Sequence, residues 1–331
     1  VLLFGAIGGT TLEVAIYQAA RITLDFRTAA MLALVETSVA ILIIMAYSRL
    51  EKHAAKSTGI AYDPFKKKQT FLGSTQWGNK INYKEIALFV ALALCILLFF
   101  ILPLVSIIAH AFFFTHTGRV MLTFSNVTTL FSHKSFLFAL QNTLQTALAT
   151  ATLSVTTGLF FALLTRCIDP YNIRRSLRIL PLLPMAVSSV VMGFGITILV
   201  RQGTPLLLIL AQSALYWPFA FRQISHSVDR IPKATIEAAR LLSYDPLDVF
   251  FKVEIPLVKR SIFNAFAFCF AMSCGDASLP LVLAIPRYNT LALFTYQLAG
   301  SYRFRQACAC GCILMVLSAT VFLISSRFNK R

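Results

Sequence analysis

Apolar residues run along this chain in long unbroken blocks, and charged residues gather between them. Ile86–Ile108, Ser135–Thr165, Ile179–Val200, Pro205–Phe221 and Gln306–Ser326 contain no Asp, Glu, Lys or Arg. Thr28–Ser48 contains one acid, Glu36, and Ser261–Ile285 contains one acid, Asp276. A helix needs about 20 apolar residues to cross the hydrocarbon core of a bilayer. The pattern therefore predicts about seven spans, one early and six from Ile86 onward. The implied fold class is all-α, a polytopic transmembrane helical bundle. Pro and Gly inside several blocks fit such helices where neighbours satisfy the freed backbone groups.

Composition agrees. Of 331 residues, 57% are hydrophobic and 13% are charged, about half the charge of an ordinary soluble domain. Mean hydropathy is +0.74. The net charge of +17 raises nucleic acid as a partner, but its distribution argues for no nucleic acid. Lys and Arg sit in the segments between spans rather than on one face of a folded domain. Arg49–Glu85, Arg166–Arg178, Arg222–Arg260 and the tail Arg327–Arg331 are rich in them, whereas His110–Lys134 holds only Arg119 and Lys134. With the basic segments inside, the spans alternate correctly. That places the N-terminus outside and the C-terminus in the cytoplasm of a multi-pass protein. The basic segment Arg49–Glu85 reads as a solvated tether, whose lysines can also meet anionic membrane lipid headgroups.

One charged segment between spans carries unusual detail. Ile236–Pro256 reads as two short helices separated by a turn, the first opened by Asp229 or the Arg230–Ile231 step with Pro232 near its start. Asp245 suits an N-cap, Pro246 the first helical position, and Asp248 the third, where a negative charge meets the positive helix end. The small Ala238 and Ala239 allow another surface to come close to the backbone. The order Glu237-Ala238-Ala239, three residues, Ser243, nine residues, Val253-Glu254-Ile255-Pro256 resembles the EAA loop of bacterial ABC-importer permeases. The family pattern is EAA, three residues, Gly, nine residues, I-x-L-P. Ser243 departs from it, because Gly gives a left-handed turn without the cost of about 1 kcal/mol that Ser carries there. The resemblance implies a bacterial inner-membrane permease whose coupling helix sits in a groove of a cytoplasmic ABC ATPase dimer. The ATPase-coupling residues would be Glu237, Ala238, Ala239, Ser243, Asp245, Pro246, Asp248 and Pro256.

The chain also repeats itself. TLEVAIYQAARITLDFRTAA begins at Thr11 and TLALFTYQLAGSYRFRQACA begins at Thr290. Thr, Leu, Tyr, Gln and Ala coincide, and after a slip of one residue Phe26, Arg27 and Ala29 match Phe304, Arg305 and Ala307. A span follows each copy. This reads as the end of one module (1–48), a basic cytoplasmic linker (49–85) and a complete second six-helix module (86–331), the first module having begun well before Val1. Duplicated modules resemble the thiamine and ferric-iron importer permeases. Thr11–Gln18 and Asn289–Phe304 look most like the thiamine permease, and Asn142-Thr143 and Leu183–Gly193 like the wider family. The resemblance implies alternating access driven by the ATPase, a second permease module and an extracytoplasmic substrate-binding protein as partners, and thiamine as cargo, with ferric iron as the alternative.

Little else carries chemistry. Asp63-Pro64 and Gly73-Ser74 mark turns in the linker, and Gly73–Lys80 fails as a phosphate loop because Asn79 stands where Lys is needed. The chain is expected to bind no cofactor; ATP is used by the partner. Asp276 follows Gly275 and precedes Pro280. It suits either a carboxylate on a cation's path or a cap at a helix break. Asn142 is the second candidate on the substrate path. Asp25 is expected at the solvated edge. Cys308, Cys310 and Cys312 spread around a helix rather than converging on a metal, so the cysteines read as packing residues. No paired catalytic carboxylate, H-E-x-x-H or G-x-S-x-G is present, which argues against an enzyme. An ion-coupled secondary transporter would need charges in several spans, and only Glu36 and Asp276 qualify.

Overall fold

The computed structural model describes residues 11–57, 83–116, 119–167, 180–200, 202–242 and 246–330. Long helices dominate. α1 (Leu12–Tyr17) leads through a π-helical turn, Gln18–Ile22, to α2 (Phe26–Ser57). α3 (Tyr83–Ile96) continues through a π turn, Leu97–Ile101, into α4 (Leu102–Phe112). A two-stranded antiparallel hairpin follows, β1 (Phe113–His116) and β2 (Arg119–Leu122), with Phe113 opposite Leu122. Then come α5 (Ser125–Ser132), α6 (Lys134–Cys167), a 3₁₀ stretch (Leu180–Ala186), α7 (Ser189–Leu199) and α8 (Pro205–Val228). α9 (Lys233–Leu242) and α10 (Pro246–Val249) precede a π turn, Phe250–Glu254, and α11 (Ile255–Gly275). α12 (Ser278–Leu283), α13 (Leu291–Gly300) and α14 (Phe304–Lys330) complete the order.

Among the described residues, five helical stretches are long and apolar enough to cross a membrane: Phe26–Ala46, Ala87–Phe112, Lys134–Thr165, Phe250–Gly275 and Phe304–Arg327. Two other blocks depart from the simple expectation of seven unbroken spans. Ile179–Val200 is not one helix. Its prolines hold the 3₁₀ stretch, with Pro184 inside it, and the α-helix starts only at Ser189, capped by the Ser188 hydroxyl accepting from Val191 N–H. Pro205–Phe221 does form a helix, but it runs on to Val228. Its core-facing side carries Gln212, Ser213 and Tyr216, which dilute its apolar character. Asp229 closes α8 rather than opening the next helix, and α9 begins at Lys233, beyond Pro232.

α6, α8 and α11 form the centre, and α14 packs on α11 and α4. Small residues let the central helices approach. Ala147, Ala151 and Ala162 of α6, Ala211 and Ala220 of α8, and Ala265 of α11 are buried. At Gly158 a Cβ would lie 2.8 Å from the backbone nitrogen of Phe221. Phe161 stands edge-on to both Trp217 and Phe221, each ring pair at 5.4 Å. By contrast, the most apolar 18-residue window of Ala87–Phe112 has none of its residues buried within the chain, as a lipid-facing helix should, and Ala111 near its end is buried.

The two repeat copies share local structure. Thr11 caps α1 by accepting from Val14 N–H, and Thr290 caps α13 by accepting from Leu293 N–H, both at 3.4 Å. Each copy then turns through a left-handed non-glycine residue, Leu24 (φ 55°) and Tyr302 (φ 60°). The one-residue slip has a physical cause. In the first copy Thr23 N–H reaches back to Gln18 and Asp25 N–H to Ala19. In the second, Ser301 reaches Gln297 and Arg303 reaches Leu298, one residue nearer each time. The π turn Gln18–Ile22 holds the extra residue, as π bulges do. Ile16, Ala19 and Ala29 of the first copy, with Ala33 just beyond it, pack on Val190, Phe194 and Val282. The Arg21 guanidinium donates to the Val282 carbonyl.

Candidate functional site

Two places carry the polar detail. The first is the projecting segment between α8 and α11. α9 is strongly one-sided: Ile236 is buried, while Glu237, Ala238 and Arg240 are exposed and Ala239 is half-buried. At its end Leu241 and Leu242 are 89% and 90% exposed. Two adjacent leucines left bare at a helix end are costly in water unless something covers them. Ser243 and Asp245 lie outside the described residues. Pro246 is the first residue of α10, and Asp248, in its first turn, pairs with Lys252 at 2.8 Å. Pro256 is the second residue of α11, a position where its missing N–H costs nothing. A cleft of about 310 Å³ lies under the start of α9, lined by Ser227, Arg230, Ile231, Pro232, Thr235 and Leu257.

The second place is the break between α11 and α12. Asp276 ends α11 in an extended conformation. Its Oδ1 accepts from the backbone N–H of Ser278 (3.0 Å) and Leu279 (3.2 Å), tying it to the first turn of α12. Its Oδ2 accepts from Gln212 Nε2 (3.2 Å) and Tyr216 OH (3.1 Å) of α8. Gln212 Oε1 in turn accepts from Thr150 Oγ1 of α6 (3.2 Å) and Ser273 Oγ of α11 (2.6 Å). The carboxylate and Gln212 together thus link four helices, and the polar atoms satisfy one another, as burial requires. Beside it lies a cavity of about 450 Å³ between α8, α11 and the 184–189 stretch.

Asp276 therefore takes the capping geometry expected at a helix break and also lines a cavity. Asn142 does not join it. Its Nδ2 donates to Asn289 O (3.1 Å), and the next residue, Thr143, accepts from Leu291 N–H (2.6 Å). This pair on α6 anchors the start of α13. Gln212, Tyr216 and Ser273 were not singled out from the sequence. The only signal was a glutamine and a tyrosine inside an otherwise apolar block. Glu36 lies beside Ser188, and its Oε2 is buried without a hydrogen-bond partner. Asp25 is solvated, as expected; bonds from the Thr28 hydroxyl and N–H hold its carboxyl below the usual range. Among the described residues, no group of three His, Cys, Asp or Glu is placed to hold a metal. Cys269, Cys274, Cys310 and Cys312 are buried and unpaired.

Residues 172–331, which include α7 to α14, the projecting segment and Asp276, match the family model described as "Binding-protein-dependent transport system inner membrane component". In this segment, just under half of its length, the chain is similar to that family. Among curated relatives, the thiamine transport system permease protein ThiP of Salmonella typhimurium is 23% identical over 99% of this chain and 59% of its own length. The ThiP protein of Brucella abortus is 28% identical over 42% of this chain and 26% of its own length. The chain thus spans about 59% of the first of these relatives. Among solved structures, a chain of a bacterial ABC transporter involved in the import of the acidic polysaccharide alginate superposes with a TM-score of 0.64. It is 15% identical and covers 75% of this chain and 96% of that one. At that identity the match speaks for the fold, an ABC-importer permease bundle. These likenesses agree with the resemblance to ABC-importer permeases read from the EAA segment. The family is one of membrane-embedded transport components, not of enzymes.

Proposed function

We propose that this chain is the permease of a binding-protein-dependent ABC importer and that its cargo is thiamine. The observation that carries the permease role is α9. It is a one-sided helix between two spans, inside the family-matched segment, with Glu237-Ala238 outward and Leu241 and Leu242 bare. A groove on a cytoplasmic ATPase dimer would cover that surface. α10 runs through the π turn into α11 without a break in helical backbone, so force on the projecting end reaches the central bundle directly. ATP binding and hydrolysis belong to the ATPase; this chain needs no cofactor of its own. An extracytoplasmic binding protein delivers the cargo, as in the alginate transporter solved in complex with its ligand-bound periplasmic protein.

Thiamine as cargo is supported by the names of the relatives. Residues 1–48 are read as the end of a first module, 49–85 as a cytoplasmic linker and 86–331 as the second module, with the C-terminus in the cytoplasm. The coupling residues are Glu237, Ala238, Ala239, Ser243, Asp245, Pro246, Asp248 and Pro256. The test is co-purification and uptake. Glu237→Arg or Ala238→Trp should abolish ATPase capture and thiamine uptake while leaving the protein in the membrane. Normal capture and uptake in both variants would remove the docking role. Cysteine at Arg240 or Lys252 should be labelled only from the cytoplasmic side; labelling from outside intact cells would overturn the topology.

A further inference from the structure

We infer that the cavity beside Asp276 is a binding site for a delocalised organic cation, with Asp276 supplying the charge and Tyr216 and Phe219 an aromatic wall. This rests on the permease reading and gives the transport path a specific stopping point.

The charge comes first. All four partners of the Asp276 carboxylate are neutral, and two of them, the backbone N–H groups of Ser278 and Leu279, can only donate. That geometry suits a carboxylate rather than a carboxylic acid. A negative charge held by neutral donors inside an apolar bundle attracts a cation. None of the described residues lining the cavity is basic. Glu36 adds a second acid nearby, because it lies beside Ser188, between the lining residues Val187 and Ser189.

The type of cation follows from the same bonds. Each Asp276 oxygen already accepts two hydrogen bonds, so neither keeps a lone pair free for inner-sphere coordination. A small hard metal ion needs several such oxygens. A large cation with spread charge needs only the field of the carboxylate and polarisable walls. Tyr216, Phe219, Met185 and Met272 provide those walls, since aromatic faces attract cations and thioethers adapt to flat ligands. The volume of about 450 Å³ lies in the range of small-molecule sites, roughly 300–1,000 Å³.

Equilibrium binding of radiolabelled thiamine to membranes carrying the assembled transporter, without ATP or binding protein, tests this. Saturable binding is expected, weakened about tenfold by Asp276→Asn and by Phe219→Ala. N-methylpyridinium should compete, and the neutral aminopyrimidine half of thiamine should not. Phe219 lies outside the Asp276 hydrogen-bond network, so its variant separates loss of contact from loss of fold. Binding unchanged in Phe219→Ala, equal competition by the neutral half, or binding of neither cation by the parent protein would each overturn the site. ATPase capture through α9, measured on the same membranes, judges the permease reading separately.

Discussion

Gln212 donates its side-chain amide to the Asp276 carboxylate, Nε2 to Oδ2 at 3.2 Å, across the interface between α8 and the end of α11. The other end of the same amide accepts from Thr150 and Ser273, so one side chain closes a network over three long helices. Gln212→Leu would remove a donor from Asp276 and the acceptor of two buried hydroxyls. The expected cost is about 1–3 kcal/mol, read as earlier thermal unfolding of the detergent-solubilised protein. Gln212→Glu should cost more, because it sets a second acid against the first. A Gln212→Leu protein as stable as its parent would show that the network does not hold the bundle.

Glycine positions give a contrast of packing. Gly158→Ala puts a methyl group 2.8 Å from Phe221 N and 3.0 Å from Ala220 Cβ, and backbone cannot move aside cheaply. A loss of about 1–3 kcal/mol is expected. At Gly275 no atom lies within 4 Å of an added Cβ, so Gly275→Ala should stay within about 0.5 kcal/mol of the parent. Paired thermal melts decide; equal shifts in the two variants would contradict the close α6–α8 approach.

The start of α13 depends on α6. Leu291 N–H, buried, donates to Thr143 Oγ1 at 2.6 Å. Thr143→Val keeps the shape and deletes the acceptor, leaving a buried donor alone at a cost of about 1–3 kcal/mol. Faster amide hydrogen exchange confined to Leu291–Gly300 would report it. Thr143→Ser should restore protection.

Among the described residues, Leu241 and Leu242 are almost fully exposed. Replacing both by Ser should shift stability by less than about 0.5 kcal/mol and yet weaken ATPase co-purification. A large loss of stability with intact capture would mean that α9 serves the bundle rather than a partner. In contrast, Asp248→Ala breaks the exposed pair with Lys252, which should cost no more than about 0.5 kcal/mol.

Sequence alone determined the class. Long uncharged blocks force helices across a bilayer, because unpaired backbone groups are not tolerated in lipid. The α9–α10 pair was legible because Pro232, Pro246 and Asp248 act on their immediate neighbours. The local likeness of the two repeat segments was legible too, down to the slip, because a π turn leaves its mark as one inserted residue. Tertiary structure alone decided what the polar residues in the bundle do. Whether Ile179–Val200 crosses as one helix depends on how Pro184 meets its neighbours. Gln212, Tyr216 and Ser273 come from separate helices, and only helix packing turns them toward Asp276. A hydrogen bond formed across 60 residues of chain leaves no local pattern, whereas a cap formed across three does.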